Sequence, residues 1–485
     1  MTLIKTFLDT CRKHAKKIAV VDLHGTYTYE DIRKEALLYA ARLSLISTSS
    51  NHIGILLPNG KDFVTSFYGV LMTGKTPVPL NYLLSPQQLS FVIHNAEIDT
   101  IITNAMFSPQ MQGHIKNILL SDSNKDNITP MEEDRAKLGN MEELAAILYT
   151  SGTDTNPKGV MLTHRNFLKN LEGCISAFKF TERDILLGIL PLFHTYALTT
   201  NLILPVCMGA TVIYHERFSG PKVLEAIENH KITSLFAIPS MYRVLLRTAK
   251  TSNYNLRSLK LCTSGGEPLP GDVLESFNKT FSVPLTEGYG LTEATAIVSV
   301  NLPDKFKYGS IGPPLNNLEI KIADDNGYPQ PKNNEGEIWV KGPNVMKGYF
   351  KLPEETKKTI TSDGWLKTGD YGKLDEEGFL WITGRKKELI IISGENVSPN
   401  EIEHVISGHE KVFEVAVLGI SDKVRGEVPK AFIALRENMT CSESEIKEYC
   451  AKYLPHYKIP RDFEFLKELP HGPTGKVLKR ALKQK

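Results

Sequence analysis

Short apolar runs recur along the chain up to about Asn301, among them NHIGILL, TIIT, AAILYT, ILLGILPL, GATVIY, SLFAIP and SLKLCTS. Segments of helical character, such as FVTSFYGVLMTG and GPKVLEAIENH, separate them. This alternation predicts βαβ units and mostly parallel sheets, because strands buried on both faces read as continuous apolar runs. After about Asn301 the pattern changes to LEIKIADDNGYP, GEIWVKGP and GFLWITG, alternating strands with Gly and Pro turns that suit a small antiparallel or barrel-like subdomain. From about Lys386 a compact α+β pattern follows: LIIISG, a helix around PNEIEHVISGH, the strands EVAVLGI and KAFIALR, a helix around SESEIKEYCAKYL, and a basic tail. The expected boundary falls at the charged run Arg385, Lys386, Lys387 and gives units of 1–384 and 385–485.

The stretch Ile185 to Tyr214 carries no formally charged residue, which raises a membrane span as an alternative. His194, Thr195, Thr199, Thr200, Asn201, Pro205 and Gly209 interrupt it, and a strand, a loop, a helix ending near Pro205 and a buried strand account for it better. The opening MTLIKTFLDTCRKHAKK is amphipathic, with charges before any apolar core of a signal sequence could form. Ser121 to Asn140 is polar and reads as a surface loop.

With 485 residues the chain exceeds one ordinary hydrophobic core, so two or more packed domains are expected. Lys plus Arg number 57 against 55 for Asp plus Glu, a net of +2 that sets up no long-range field to gather nucleic acid or an anionic membrane. Anion binding must therefore be local, and no more than transient membrane contact is expected. Six scattered cysteines without CxxC spacing indicate neither a disulfide framework nor a structural metal, which suits a reducing, cytoplasmic setting.

Local anion sites are suggested by several motifs. YTSGTDTNPKGVMLTH, from Tyr149 to His164, combines hydroxyls, glycines and Lys158, the materials of a phosphate-binding loop. It is no Walker A sequence, since Pro157 precedes Lys158 and Gly159 follows it. TEGYGLTE, Thr286 to Glu293, has Glu293 where a dinucleotide fingerprint has its last small residue; a carboxylate beside Thr292 suits Mg²⁺ bridging phosphate oxygens. LKTGD ends at Asp370, a residue type that accepts hydrogen bonds from ribose hydroxyls. LPHGPTGKVLKR places Lys476 after a Thr-Gly turn near the C-terminus, among other tail cations.

Taken in order, YTSGTDTNPKG, GGEPL, YGLTE, TGD, GRKKELIIISGENVSPNEIE and PTGK resemble the adenylate-forming superfamily of acyl-CoA synthetases, nonribosomal peptide synthetase adenylation domains and firefly luciferase. The match spans nearly the whole chain. The resemblance implies a large α/β N-terminal domain of parallel sheets flanked by helices, followed by a small mobile α+β lid, with ATP between them. It implies that Thr150, Ser151, Gly152, Thr153 and Lys158 form the triphosphate loop. Gly265, Gly266, Glu267 and Pro268 would lie on the adenine side, with Glu287, Gly288, Tyr289 and Gly290 around the nucleotide and Tyr289 stacked on the base. Thr292 would meet the α-phosphate, Glu293 would hold Mg²⁺, and Asp370 and Arg385 would contact the ribose. Lys476 resembles the catalytic lysine, Lys387 the lid hinge, and Gly394 the glycine lining the pantetheine tunnel.

The family usually has Thr-Gly where this chain has Asp154 and Thr155, which brings a carboxylate close to a triphosphate and removes a flexible glycine. PLFHTYALT places His194, with Gly288, at the acyl substrate, where amino-acid-activating relatives carry an Asp. No such Asp stands here, so an alkyl carboxylate is favoured, each buried CH₂ contributing about 0.8 kcal/mol. The implied reaction joins a carboxylic acid, a fatty acid by this reasoning, to CoA through an acyl-adenylate, using ATP and Mg²⁺. A carrier-protein phosphopantetheine in place of CoA, and a nucleotide binder without turnover, are the alternatives.

Overall fold

The computed structural model describes residues 1–111, 113, 115–121, 128–150, 157–250, 254–392, 395–422, 424–471 and 477–482. Among them the largest sheet has eight strands. In spatial order these are Ser299–Val300, Leu285–Tyr289, Leu261–Ser264, Ser234–Ala237, Ile185–Gly188, Thr211–Tyr214, Ile18–Asp22 and Gly25–Thr28. All neighbours are parallel except the pairs at the two edges. A second, fully parallel sheet is ordered Thr76–Pro79, His52–Leu56, Thr100–Thr103, Asn117–Leu120. Helices such as Lys61–Met72 and Gly220–His230 bury apolar faces between and against these sheets, so the expected α/β layering holds.

Helix starts follow local chemistry. Thr28, Ser85 and Thr163 each cap a helix in a reciprocal capping box, with Asp31, Gln88 and Asn166. The amphipathic N-terminus is a helix, Leu3–Lys13, whose Phe7 stacks on Tyr68 at 4.0 Å between ring centroids.

Two expectations need correction. AAILYT belongs to no parallel unit: Leu144–Thr150 pairs antiparallel with Lys158–Thr163, so Thr150 and Lys158 face each other across the residues between them. In the uncharged stretch, the helix does not end near Pro205. After Thr195–Ala197 comes a π-helical segment, Leu198–Ile203, and the helix runs on through Leu204–Met208 to Gly209, whose φ of 76° stops it. Proline is tolerated inside it because the turn before it is π-helical and the Asn201 carbonyl, four residues back, accepts the Tyr214 hydroxyl at 2.6 Å instead of an amide. Among the described residues no helix is long and apolar enough to cross a membrane.

The antiparallel region after Asn301 is a four-stranded sheet ordered Glu319–Ala323, Gly336–Lys341, Leu366–Leu374, Leu380–Arg385. Beyond it, Ile390–Ile392, Glu395–Val397, Val412–Asp422, Gly426–Leu435 and Asp462–Leu466 form another sheet with a core of its own, covered by the Pro399–Ser407 and Glu443–Ala451 helices.

Candidate functional site

Parallel strands release their following loops at one edge, where open α/β sheets bind ligands. Three motif segments meet there for that reason. GGEPL follows Leu261–Ser264, TEGYG occupies the end of Leu285–Tyr289, and PLFHT follows Ile185–Gly188. Ser264 is the register partner of Glu287, and the Leu269 amide donates to Glu287 Oε1 at 2.9 Å, which ties the first two together. Gly265 lies against Tyr196, whose ring atoms would stand 3.3 Å from a Cβ at that position. Gly266, with φ 86°, makes a turn that other residues resist. At Gly290 a Cβ would fall 1.3 Å from the Ala296 carbonyl oxygen, so only glycine permits that approach.

At one end of this cluster, the antiparallel sheet sets Asp370 opposite Arg385. Asp370 is 3% exposed; it accepts the Tyr289 hydroxyl at 2.6 Å on Oδ2 and Arg385 Nε at 2.9 Å on Oδ1. Burial, reinforced by the Asp370 carboxylate, holds the Tyr289 phenol well above its ordinary pKa, so it remains a donor. Burial also raises the Glu287 carboxyl to about 8, although the Leu269 amide opposes the shift.

At the other end, the Thr195 hydroxyl donates to Thr292 Oγ1 at 2.9 Å, and the Tyr349 hydroxyl donates to Glu293 Oε1 at 2.9 Å. Lys158 Nζ lies 3.3 Å from Glu355 Oε2 and 5.6 Å from the Tyr349 ring centroid. Behind Glu293, Thr295 and Ala296 take φ of 56° and 79°, and Thr295 Oγ1 donates to the Asn344 carbonyl at 2.6 Å. A β-branched residue in the left-handed region is strained, and such strain concentrates at functional sites. Glu293 and the Thr292 hydroxyl supply hard oxygens in the number that Mg²⁺ takes from protein. His409, Cys441 and Glu445 also draw potential ligand atoms within 4.8 Å of one another. There, however, Lys411 Nζ is already 2.7 Å from Glu445 Oε1, and His409 Nδ1 receives the Lys411 amide at 3.3 Å.

Contacts thus join Tyr289, Asp370 and Arg385 at one end, and at the other bring Lys158 and Glu293 to Tyr349 and Thr292 to Thr195; Thr150 is opposite Lys158, and Gly265, Gly266, Glu267, Pro268, Glu287, Gly288 and Gly290 stand at or just after the ends of the paired strands Leu261–Ser264 and Leu285–Tyr289. His194 is exposed and caps the turn that follows it, accepting the Tyr196 amide at 3.3 Å. Lys387 is exposed in the one-turn helix Lys386–Glu388. Ser151, Gly152, Thr153, Asp154, Thr155, Gly394 and Lys476 lie outside the described residues. Thr195, Tyr196, Tyr349 and Glu355 were not anticipated. Thr195 and Tyr196 adjoin His194 in PLFHTYALT, whereas Tyr349 and Glu355 stand in no spacing that marks them before the chain is folded.

The chain belongs to the AMP-binding enzyme family, the adenylate-forming enzymes: the family model for the AMP-binding enzyme matches residues 7–350, and that for the AMP-binding enzyme C-terminal domain matches residues 401–476. It is 34% identical over 527 residues to a long-chain-fatty-acid–CoA ligase of Bacillus subtilis (strain 168), covering 99% of this chain and 94% of that one. A 4-coumarate–CoA ligase of Arabidopsis thaliana is 30% identical over 492 residues, covering 95% of this chain and 88% of that one. The structure of o-succinylbenzoate coenzyme A synthetase from Bacillus subtilis in complex with ATP and magnesium ion superposes with a TM-score of 0.89 at 32% identity, covering 99% of each chain.

Proposed function

We infer that this protein is an acid-thiol ligase that activates a fatty acid with ATP and passes the acyl group to CoA. The observation that carries this reading is the joined set Tyr289, Asp370 and Arg385 at one end of the site, with Lys158, Thr292 and Glu293 at the other. Long-chain-fatty-acid–CoA ligases among the relatives support the choice of acid.

A carboxylate must approach a polyanionic nucleotide, so the catalyst has to offset charge repulsion and align the attack. Asp370 and Arg385 hold the ribose, and Tyr289 covers the base. Lys158 leaves Glu355 to meet the β- and γ-phosphates, while Thr292 contacts the α-phosphate. Glu293 would hold Mg²⁺, which would supply positive charge against the phosphates. One carboxylate oxygen then bonds to the α-phosphorus, the bond to the bridging oxygen breaks, and pyrophosphate leaves with that electron pair. Lys476 bridges the acid oxygen and the α-phosphate in this step. Residues 385–485 act as a lid that turns at Lys387 and brings Gly394 beside the pantetheine arm. The thiol sulfur bonds to the acyl carbon, AMP departs with the electrons of the mixed anhydride, and the thiol proton passes to solvent.

One observation favours a second acid. Tyr196 stands beside Gly265 with its ring edge-on to Phe236 at 6.0 Å, an aromatic wall that suits a planar ring acid as well as an alkyl chain. The test is a panel of fatty acids from short to long and of ring carboxylic acids, assayed with CoA and with a holo carrier protein as acceptors. Fastest thioester formation with an alkyl acid and CoA is expected. A ring acid leading the panel replaces the substrate assignment, carrier loading without CoA turnover replaces the acceptor, and nucleotide binding without pyrophosphate release removes the enzymatic reading.

A further inference from the structure

Tyr349 stands in none of the motifs, yet it touches two charged groups of the site at once. Its hydroxyl donates to Glu293 Oε1 at 2.9 Å, and Lys158 Nζ stands 5.6 Å from its ring centroid, within reach of a cation–π contact. The residue is only 9% exposed. Main-chain bonds fix its place from several sides. Gly348–Tyr349 pairs antiparallel with Met161 and Val160 on the strand that begins at Lys158, and the Phe350 amide donates to the Gly159 carbonyl at 2.7 Å. The Tyr349 amide donates to Thr356 Oγ1 at 2.9 Å, on the Pro353–Thr359 helix that also carries Glu355. The Met346 amide donates to the Glu293 carbonyl at 2.8 Å. One short segment therefore holds Glu293 by its main chain and by the Tyr349 side chain.

A carboxylate that binds a metal through one oxygen can turn about its own bonds, and a fixed donor on the other oxygen removes that freedom. Removing such outer partners typically costs ten- to a hundredfold in metal affinity or activity. The ring does separate work, because its face attracts an ammonium whether or not the hydroxyl is present. Glu355, the carboxylate that pairs with Lys158, is shared with Lys358, so the ring is the contact that Lys158 can keep when it turns to a phosphate.

We propose that Tyr349 is a positioning residue for both groups: its hydroxyl sets the orientation of the Glu293 carboxylate toward Mg²⁺, and its ring steadies the Lys158 ammonium for the triphosphate. This rests on the reading that ATP phosphates and Mg²⁺ bind beside Lys158 and Glu293. The two roles separate by substitution, since Tyr349→Phe removes the hydroxyl and keeps the ring, whereas Tyr349→Leu removes both.

The experiment measures ATP binding by calorimetry on the full-length protein, in EDTA and with Mg²⁺, together with the Mg²⁺ dependence of acid-dependent pyrophosphate exchange. For Tyr349→Phe, the Kd for ATP in EDTA should stay within about twofold of the unaltered protein. The tightening that Mg²⁺ confers should shrink, and the Mg²⁺ concentration for half-maximal exchange should rise about tenfold, with most of the rate regained at saturating Mg²⁺. Tyr349→Leu should add a weakening of ATP binding in EDTA of about fivefold. An unchanged Mg²⁺ titration in Tyr349→Phe, or equal weakening of metal-free ATP binding in Phe and Leu, overturns the proposal. So does a loss of exchange that saturating Mg²⁺ does not restore, accompanied by a lower Tm without ligand, which makes Tyr349 a packing residue. Glu293→Gln distinguishes this failure from that of the underlying reading: if it shifts the Mg²⁺ titration and Tyr349→Phe does not, the positioning role alone fails, and if neither does, the metal lies elsewhere.

Discussion

The two ends of the site are built on different terms. At one end Asp370 is buried and already bonded to Tyr289 and Arg385, both on strands of packed sheets. At the other end Lys158 and Glu293 are paired with side chains, Glu355, itself engaged by Lys358, and the Tyr349 hydroxyl. Backbone register fixes the first set before any ligand arrives. Under the proposed function the second set would exchange an internal partner for phosphate or metal. On that proposal, preorganisation is concentrated where the nucleoside would bind, and exchangeable pairing where charge would move during the reaction.

The largest expected effect tests the exchangeable end. Glu293→Gln keeps the volume and loses the charge, and should lower kcat by about a hundredfold and shift the Mg²⁺ titration upward, with Tm little changed. An unaltered Mg²⁺ titration moves the metal elsewhere. Next is Asp370→Asn, which turns an amide NH₂ toward a donor. It should cost about 2 kcal/mol, roughly thirtyfold in the KM for ATP, and lower Tm as well. Activity loss without any loss of stability would contradict the prepaired state described for this end.

A smaller effect is expected at Glu355. Glu355→Gln frees Lys158 from an exposed partner, so the KM for ATP should fall by no more than about twofold, and less at high salt. A large rise in KM would make Glu355 a ligand-binding residue instead of a placeholder. Smallest is the pH effect of Glu287. Its folded pKa, about 8, is above the ordinary carboxyl value of 4.5, so the folded state keeps a proton that the unfolded chain has lost. Stability from this group is complete below pH 4.5 and is lost as pH rises toward 8. Glu287→Gln should therefore flatten the decline in Tm between pH 6 and pH 8.5 by about 2 °C, read by thermal unfolding without ligand.

Much of the parallel architecture was legible because buried strands such as Thr100–Thr103 and Ser234–Ala237 leave unbroken apolar runs, and Gly220–His230 is bounded by its own sequence signals. Leu144–Thr150 looked the same and is antiparallel, since pairing direction depends on where the chain returns and not on the strand's own residues. Pro205 suggested a stop one turn too early, because the π-helical turn before it and the Tyr214 hydroxyl on the Asn201 carbonyl accommodate a proline within the continuing helix. In the site, residues bound to fixed spacing were readable: Tyr289, Asp370 and Arg385 do meet. Tyr349 and Glu355 were not, because only the pairing of Gly348–Tyr349 with Lys158–Thr163 brings them to Lys158.

The account's central claim is that an acid and ATP form an acyl-adenylate before any thiol is involved. The direct measurement is exchange of labelled pyrophosphate into ATP by the purified protein with fatty acid and Mg²⁺ present and CoA absent, followed by product analysis after CoA is added. The account predicts exchange that requires the acid, then AMP and acyl-CoA in equal amounts; ADP and phosphate as products, or thioester formation with no acid-dependent exchange, would contradict it.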